Sequence, residues 1–181
     1  MKLTLAAVLV VSSMSCSNQV SDAPKGPPGP DPSTSEFRPP AKDFLKYDAP
    51  REWVSEKLTD KMRKAQYRVP DRKGKAAPAS LTFFNMGRRE DEEIVEYWRN
   101  KMGGADANVA KIKGASGDGI VVDIEGNYTG DGANLENARF LGAMIDIGPH
   151  TWYFKFVGPV ETVGGWKDAF VEWLKGVRPI E

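Results

Sequence analysis

The apolar positions of this chain change period several times, and each change marks an element. Met62-Arg63-Lys64-Ala65-Gln66-Tyr67-Arg68-Val69 alternates, with Ala65, Tyr67 and Val69 on one face and Lys64, Gln66 and Arg68 on the other. A period of two predicts a half-buried strand. Pro70-Asp71 and Gly74 end it, and a polar loop runs to Pro78. Leu81-Thr82-Phe83-Phe84 predicts a second strand, antiparallel to the first. The period then lengthens. Ile94, Val95, Trp98 and Met102 form a helical stripe. Glu90, Asp91, Glu92 and Glu93 suit the positive end of that helix, and Gly103-Gly104 is a strong stop.

Residues 119–129 return to period two, with Ile120, Val122 and Ile124 alternating with Val121, Asp123 and Glu125. Gly130-Asp131-Gly132 is turn chemistry. Residues 139–147 predict a fourth strand with Leu141, Ala143, Ile145 and Ile147 on one face. Thr151 to Val157 predicts a fifth, with Trp152, Phe154 and Phe156 opposed to Tyr153 and Val157. A strand apolar on both faces belongs in the middle of a covered sheet. The last element is a helix from Gly165 to Lys175, striped by Trp166, Phe170, Trp173 and Leu174 and ended by Gly176 and Pro179. The order β-β-α-β-β-β-α predicts an α+β fold: an antiparallel sheet of about five or more strands with helices packed on it. Helices on both faces give a three-layer α-β-α sandwich. Trp98, Trp152, Trp166 and Trp173 fall on apolar stripes and are expected in the core. Trp53 lies outside the regular elements and is expected to cover one end of the sheet.

The N-terminal quarter has a different pattern. Lys2 precedes an apolar run, Leu3 to Val11, and small residues follow. This is the layout of an export signal over residues 1–15, too short to span a bilayer. The sequence has one cysteine, Cys16, directly after it. A lone cysteine in an exported chain has no internal disulfide partner. The arrangement resembles the acceptor cysteine of a bacterial lipoprotein, which implies that Cys16 carries the lipid. Lipoprotein signals usually have Leu or Val three residues before that cysteine. Here the preceding residues are Ser13, Met14 and Ser15, and only Ser15 fits well. Ordinary cleavage near Ser15, leaving a free thiol on a secreted or periplasmic protein, remains the alternative. Pro24, Pro27, Pro28, Pro30, Pro32, Pro39 and Pro40 follow, with few apolar side chains among them. Such a segment cannot offset its ordering entropy by burial. Residues 16–44 are therefore expected to be a disordered tether, whose proline-dense part alone reaches roughly 50 Å, and residues 45–181 a single globular domain.

Charge and candidate chemistry add little. The chain has 25 basic and 25 acidic residues, which argues against a nucleic-acid partner. The charges are unevenly placed: residues 51–75 are basic, and Asp118, Asp123, Glu125, Asp131 and Glu136 are the only charges between Lys113 and Arg139. Solvated surface and complementary docking faces are both readings of this asymmetry. His150 is the one histidine and follows Pro149 in a turn, so no histidine cluster can bind a metal. Gly114 to Gly119 mimics a phosphate loop without its lysine or its helix, and a hairpin turn explains it better. Asp131, Asn134 and Glu136 do not match a calcium loop. Asp123 and Glu125 share a strand face without a visible cleft. Asn127-Tyr128-Thr129 matches a glycosylation sequon. No catalytic residue, metal ligand or cofactor is predicted.

The folded region also resembles a known type. Met62 to Val69, Tyr97-Trp98, Phe154 to Pro159 and Phe170 to Leu174 look like the packing motifs of small planctomycete-type envelope lipoproteins of unknown function. Their domain is similar to the PsbP fold, also found in Ran-binding Mog proteins. The resemblance spans about 135 residues, and its motifs are packing motifs, so it carries over no functional residue. It implies a non-catalytic binding or assembly factor. The expected function is an envelope lipoprotein, held to a membrane through Cys16, whose domain binds another envelope protein. Two rivals stand beside it. One is a small-ligand or lipid carrier with a cavity between sheet and helix, which a solid core of Trp98, Phe154, Trp173 and Leu174 would exclude. The other is a carboxylate- or Ser/Thr-dependent hydrolase, which needs converging side chains.

Overall fold

The computed structural model describes residues 44–58 and 60–180. The expected signal segment, Cys16 and the expected tether up to residue 43 lie outside the described residues. Two strands open the described chain, β1 (Leu45–Lys46) and β2 (Val54–Ser55). They lead to β3 (Ala65–Val69), β4 (Ala79–Met86) and the helix α1 (Asp91–Lys101). Then come β5 (Ala107–Lys113), β6 (Asp118–Gly130), β7 (Ala133–Ile147) and β8 (His150–Pro159). The helix α2 (Val160–Gly176) and β9 (Arg178–Pro179) complete the order.

Seven strands form one antiparallel sheet in the order β2-β3-β4-β8-β7-β6-β5, and β1 pairs with β9 apart from it. The α+β reading holds, with a sheet larger than the five strands the pattern predicts. The strand apolar on both faces, β8, is the central one. The extra edge strand β5 has only Ile112 buried, so it lacks an apolar face to announce it.

Alternation along the central strands divides the side chains between two faces. Leu81, Phe83, Leu141, Ala143, Trp152, Phe154 and Phe156 share one cluster with Phe170, Trp173 and Leu174 of α2. Phe140, Met144, Tyr153 and Val157 share another with Ile94 and Trp98 of α1. The helices therefore cover opposite faces, giving a three-layer sandwich. Trp98 and Phe154, expected above as parts of one solid core, lie on opposite sides of the sheet.

Trp53 caps the α2 side as expected. It is buried, with ring centroids 5.3 Å from Trp173, 5.8 Å from Trp166 and 6.3 Å from both Tyr67 and Phe156. The helix α2 starts at Val160, a turn earlier than its stripe suggests. Thr162 anchors that turn by donating to the Ala77 carbonyl at 2.7 Å. On the other side, Gly142 lets α1 sit on the sheet. A Cβ there would lie 2.7 Å from the Trp98 ring, closer than side chains pack.

Candidate functional site

The α1 helix is short, and it leaves part of its sheet face open. A cleft of about 210 Å³ lies there, between α1 and strands β4, β6, β7 and β8. Phe84, Trp98 and Phe140 line it as aromatic walls. Trp98 and Phe140 pack at 5.4 Å between centroids, and Phe84 stacks on Tyr153 at 5.7 Å. Met62 and Tyr97, both well exposed, stand at its mouth.

Lys155 enters this cleft from the central strand. Its Cα partners are Thr82 on β4 and Gly142 on β7. Its side chain is only 15% exposed. The ammonium pairs with Asp131 and donates to the Tyr128 hydroxyl at 3.4 Å. The Tyr128 hydroxyl in turn donates to Asp131 at 3.3 Å. Arg63 reaches Asp131 at 3.5 Å and Asp60 at 2.9 Å. Asp60 also accepts the backbone N–H groups of Met62 and Arg63, at 2.8 and 2.9 Å. A cluster of opposite charges thus closes one side of an aromatic cleft.

Turn geometry brings Asp131 there. It takes a left-handed φ of 52° in the β6–β7 turn, before Gly132 at 75°. Just below, Glu136 and Asn137 of β7 oppose the single Asn127 of β6, and Asn137 has φ of 50°. Such a bulge bends the hairpin and re-aims its end. Asn127, the sequon asparagine, accepts the Asn137 N–H across this bulge at 3.2 Å.

The cleft perturbs its own titrations. Burial, with Arg63 and Lys101 nearby, pulls the Lys155 ammonium down to about 8, and Asp60 opposes that. The Asp131 contact works in the same direction as Asp60, so the amine stays charged at neutral pH. Burial also pushes the Tyr128 phenol up. The backbone N–H of Arg63 holds the Asp60 carboxyl below its ordinary value. Of the four buried side-chain polar atoms without a partner among the described residues, one lines the cleft: Thr82 Oγ1.

No family model and no curated protein matches the chain. Among solved structures, it is similar to the cyanobacterial PsbP (CyanoP) of Synechocystis sp. PCC 6803. That likeness has a TM-score of 0.50 at 10% identity and covers 77% of this chain and 88% of that one. The fold is PsbP-like. A second similar structure is PA94, a Pseudomonas aeruginosa protein of unknown function, with TM-score 0.48 at 11% identity over 72% of this chain and 99% of that one. The PsbP likeness extends to architecture, and the cleft residues are read from this chain alone.

The other expected positions fall elsewhere on the PsbP-like domain. Asp123 and Glu125 share one face, as the alternation requires, and both serve Arg139. Arg139 forks onto Asp123 at 2.6 and 2.8 Å and reaches Glu125 at 3.0 Å. Lys167 of α2 adds a contact to Asp123 at 2.8 Å. Burial alone would raise the Asp123 carboxyl; Arg139 and Lys167 overcome it and hold the group below its ordinary value. Asp118 and Glu136 are exposed and apart. Among the described residues, no group of three His, Cys, Asp or Glu side chains could hold a metal ion. Gly114 to Gly117 is the β5–β6 hairpin turn, closed by Gly114 N–H to the Gly117 carbonyl at 2.9 Å. His150 is exposed at the start of β8. Cys16 lies outside the described residues. The basic and acidic runs of the sequence meet each other within the chain, through Arg63 and Asp131. Sequence reasoning missed Lys155, whose signal was a single lysine on the covered face of an otherwise apolar central strand.

Proposed function

We propose that this chain is a non-catalytic binding protein of the bacterial cell envelope, held to a membrane by a lipid on Cys16. Residues 16–44 act as the tether. The domain of residues 45–181 docks another envelope protein through the mouth of the cleft beside α1. The observation that carries the docking surface is the cleft itself. A charged, poorly hydrated lysine sits at its floor, and two exposed apolar side chains, Met62 and Tyr97, flank its mouth. Core positions on a covered sheet are normally apolar, and a lysine is almost never buried without reason. The export-signal layout and the lone cysteine support the address.

Two experiments test the two halves. Radiolabelled palmitate enters the wild-type protein and not Cys16→Ser; equal labelling of both removes the anchor. A photo-crosslinking residue at Tyr97 gives a discrete protein adduct in intact cells, and the same residue at Glu172, on the outer surface of α2, does not. Identical adducts at both positions, or none at Tyr97, overturn the docking surface.

A further inference from the structure

We infer that the cleft binds a small carboxylate with an apolar or aromatic body. Its head lies among Lys155, Arg63 and Lys101, and its body lies against Phe84, Trp98 and Phe140. This inference rests on reading the cleft as the binding surface, and it names the chemistry that surface selects.

Three observations converge on it. The first is size. A cavity of about 150 Å³ takes a benzene ring, and drug-sized sites start near 300 Å³. The cleft, at about 210 Å³, suits one ring or a short branched chain plus a small polar head. The second is charge. Three cations line the cleft against two carboxylates, Asp60 and Asp131, leaving a positive surplus. The Asp131 side chain is 42% exposed and can swing to water, whereas Lys155, at 15%, stays inside. An incoming carboxylate can therefore replace Asp131 on the ammonium without leaving a bare buried charge. The third is Thr82. It is 2% exposed, it neighbours Lys155 across the ladder, and its hydroxyl has no hydrogen-bond partner among the described residues. A buried hydroxyl without a partner is costly, and a ligand oxygen beside Lys155 offers it one. An amine ligand meets the wrong charge, and a neutral ring of the same shape gains nothing from Lys155 or Thr82.

The same chemistry has two sources: a free organic acid, or the terminal carboxylate of a partner chain ending in an apolar residue. Titration calorimetry of the full chain separates them. The probes are 3-phenylpropionate, its amide, 3-phenylpropylamine, and acetyl-Gly-Phe with a free C-terminus. At least one carboxylate binds about ten-fold or more tightly than the amide. Lys155→Met loses that preference, Thr82→Val weakens it by a smaller factor, and Lys113→Met on β5 leaves it unchanged. Tight binding of phenylpropionate assigns a free acid. Binding of the peptide alone assigns a chain terminus. Equal affinity for acid and amide, preference for the amine, retention in Lys155→Met, or no heat at about 10 mM ligand overturns the inference. If the position-specific Tyr97 adduct survives such a result, the docking surface stands and the ligand class alone is wrong. If both fail, the cleft is not a binding surface.

Discussion

The two faces of the sheet are covered by helices of unequal reach. On one side, the 17-residue α2 buries Thr162, Val163, Trp166, Phe170, Trp173 and Leu174. Around Trp173 the rings of Tyr47, Trp53, Phe83, Phe154 and Phe170 all lie within 6.1 Å between centroids. On the other side, the 11-residue α1 buries Ile94 and Trp98. The sheet beneath it carries Lys155 and Thr82 where the α2 side carries aromatic rings. A shorter cover leaves room for a cleft, and the residues in that room are not the ones stability selects. The α2 face is closed by the larger aromatic cluster; the α1 face has a smaller apolar cluster and, beside it, the polar groups that line the cleft.

The sharpest test of this contrast is truncation on each side. Phe154→Ala removes a fully buried ring from the α2 side and is expected to cost about 3–5 kcal/mol in urea unfolding. Tyr97→Ala at the cleft mouth is expected to change stability by less than about 0.5 kcal/mol. Similar losses from both substitutions break the comparison.

The close approach of Trp98 to the sheet makes the next prediction. Gly142→Ala pushes a methyl into the Trp98 ring and costs about 1–3 kcal/mol. Trp98 fluorescence is hard to isolate among five tryptophans, so side-chain shifts of Trp98 in NMR spectra are the readout. Unmoved Trp98 resonances with full stability remove the argument that glycine sets the height of α1.

Asp123→Asn is expected to cost on the order of 1–3 kcal/mol at pH 7, because it takes the carboxylate from Lys167 and leaves Arg139 with Glu125 alone. The sign with pH follows from the depressed folded value. Asp123 contributes fully above its unfolded pKa of about 3.9. That contribution is lost as pH falls through the lower folded value. The stability gap between wild type and variant therefore closes in acid; a gap constant down to pH 2, about two units below the unfolded value, contradicts the assignment.

Lys155→Met has a small expected effect of the opposite sign. Removing a buried charge stabilises the domain by about 1 kcal/mol, with the loss of the Asp131 contact taking back part of the gain. The folded amine titrates at about 8, below about 10.4 unfolded. Between those values the unfolded chain holds more protons, so wild-type stability rises as pH increases. The groups facing this amine, Asp131, Asp60, Arg63, Lys101 and Tyr128, share the cleft with it. The variant lacks the rise. A destabilised variant with an unchanged pH profile shows that Lys155 is an ordinary structural ion-pair member.

The α2 face was the more legible one in the sequence, and for the same physical reason that it is stable. Trp152, Phe154 and Phe156 alternate with Tyr153 and Val157, and such periodicity follows directly from burial on both sides. Where burial is partial, periodicity fades: β5 has one buried residue, and the early part of β7 from Ala133 to Asn137 is largely exposed. The start of α2 was masked by Gly164 and Gly165, although a buried tertiary hydrogen bond from Thr162 outweighs their poor propensity. The cleft was illegible because it depends on contacts between distant positions. Arg63, Asp131 and Lys155 come from three separate stretches of chain. Asp131 reads locally as a turn residue, and only the bent β6–β7 hairpin brings its carboxylate over Lys155.

The small β1–β9 pair sets a path for mechanical load. Leu45 and Lys46 pair with Pro179 and Arg178, and Ile180 N–H donates to the Phe44 carbonyl at 3.2 Å. Tyr47, the next residue, packs edge-on against Phe83 and Trp173. A pull on the chain at residue 44 is therefore passed into α2 and its aromatic rings. Phe44 also lies under the Lys64 ammonium, 5.4 Å from the ring centroid, so the same pull reaches the start of β3.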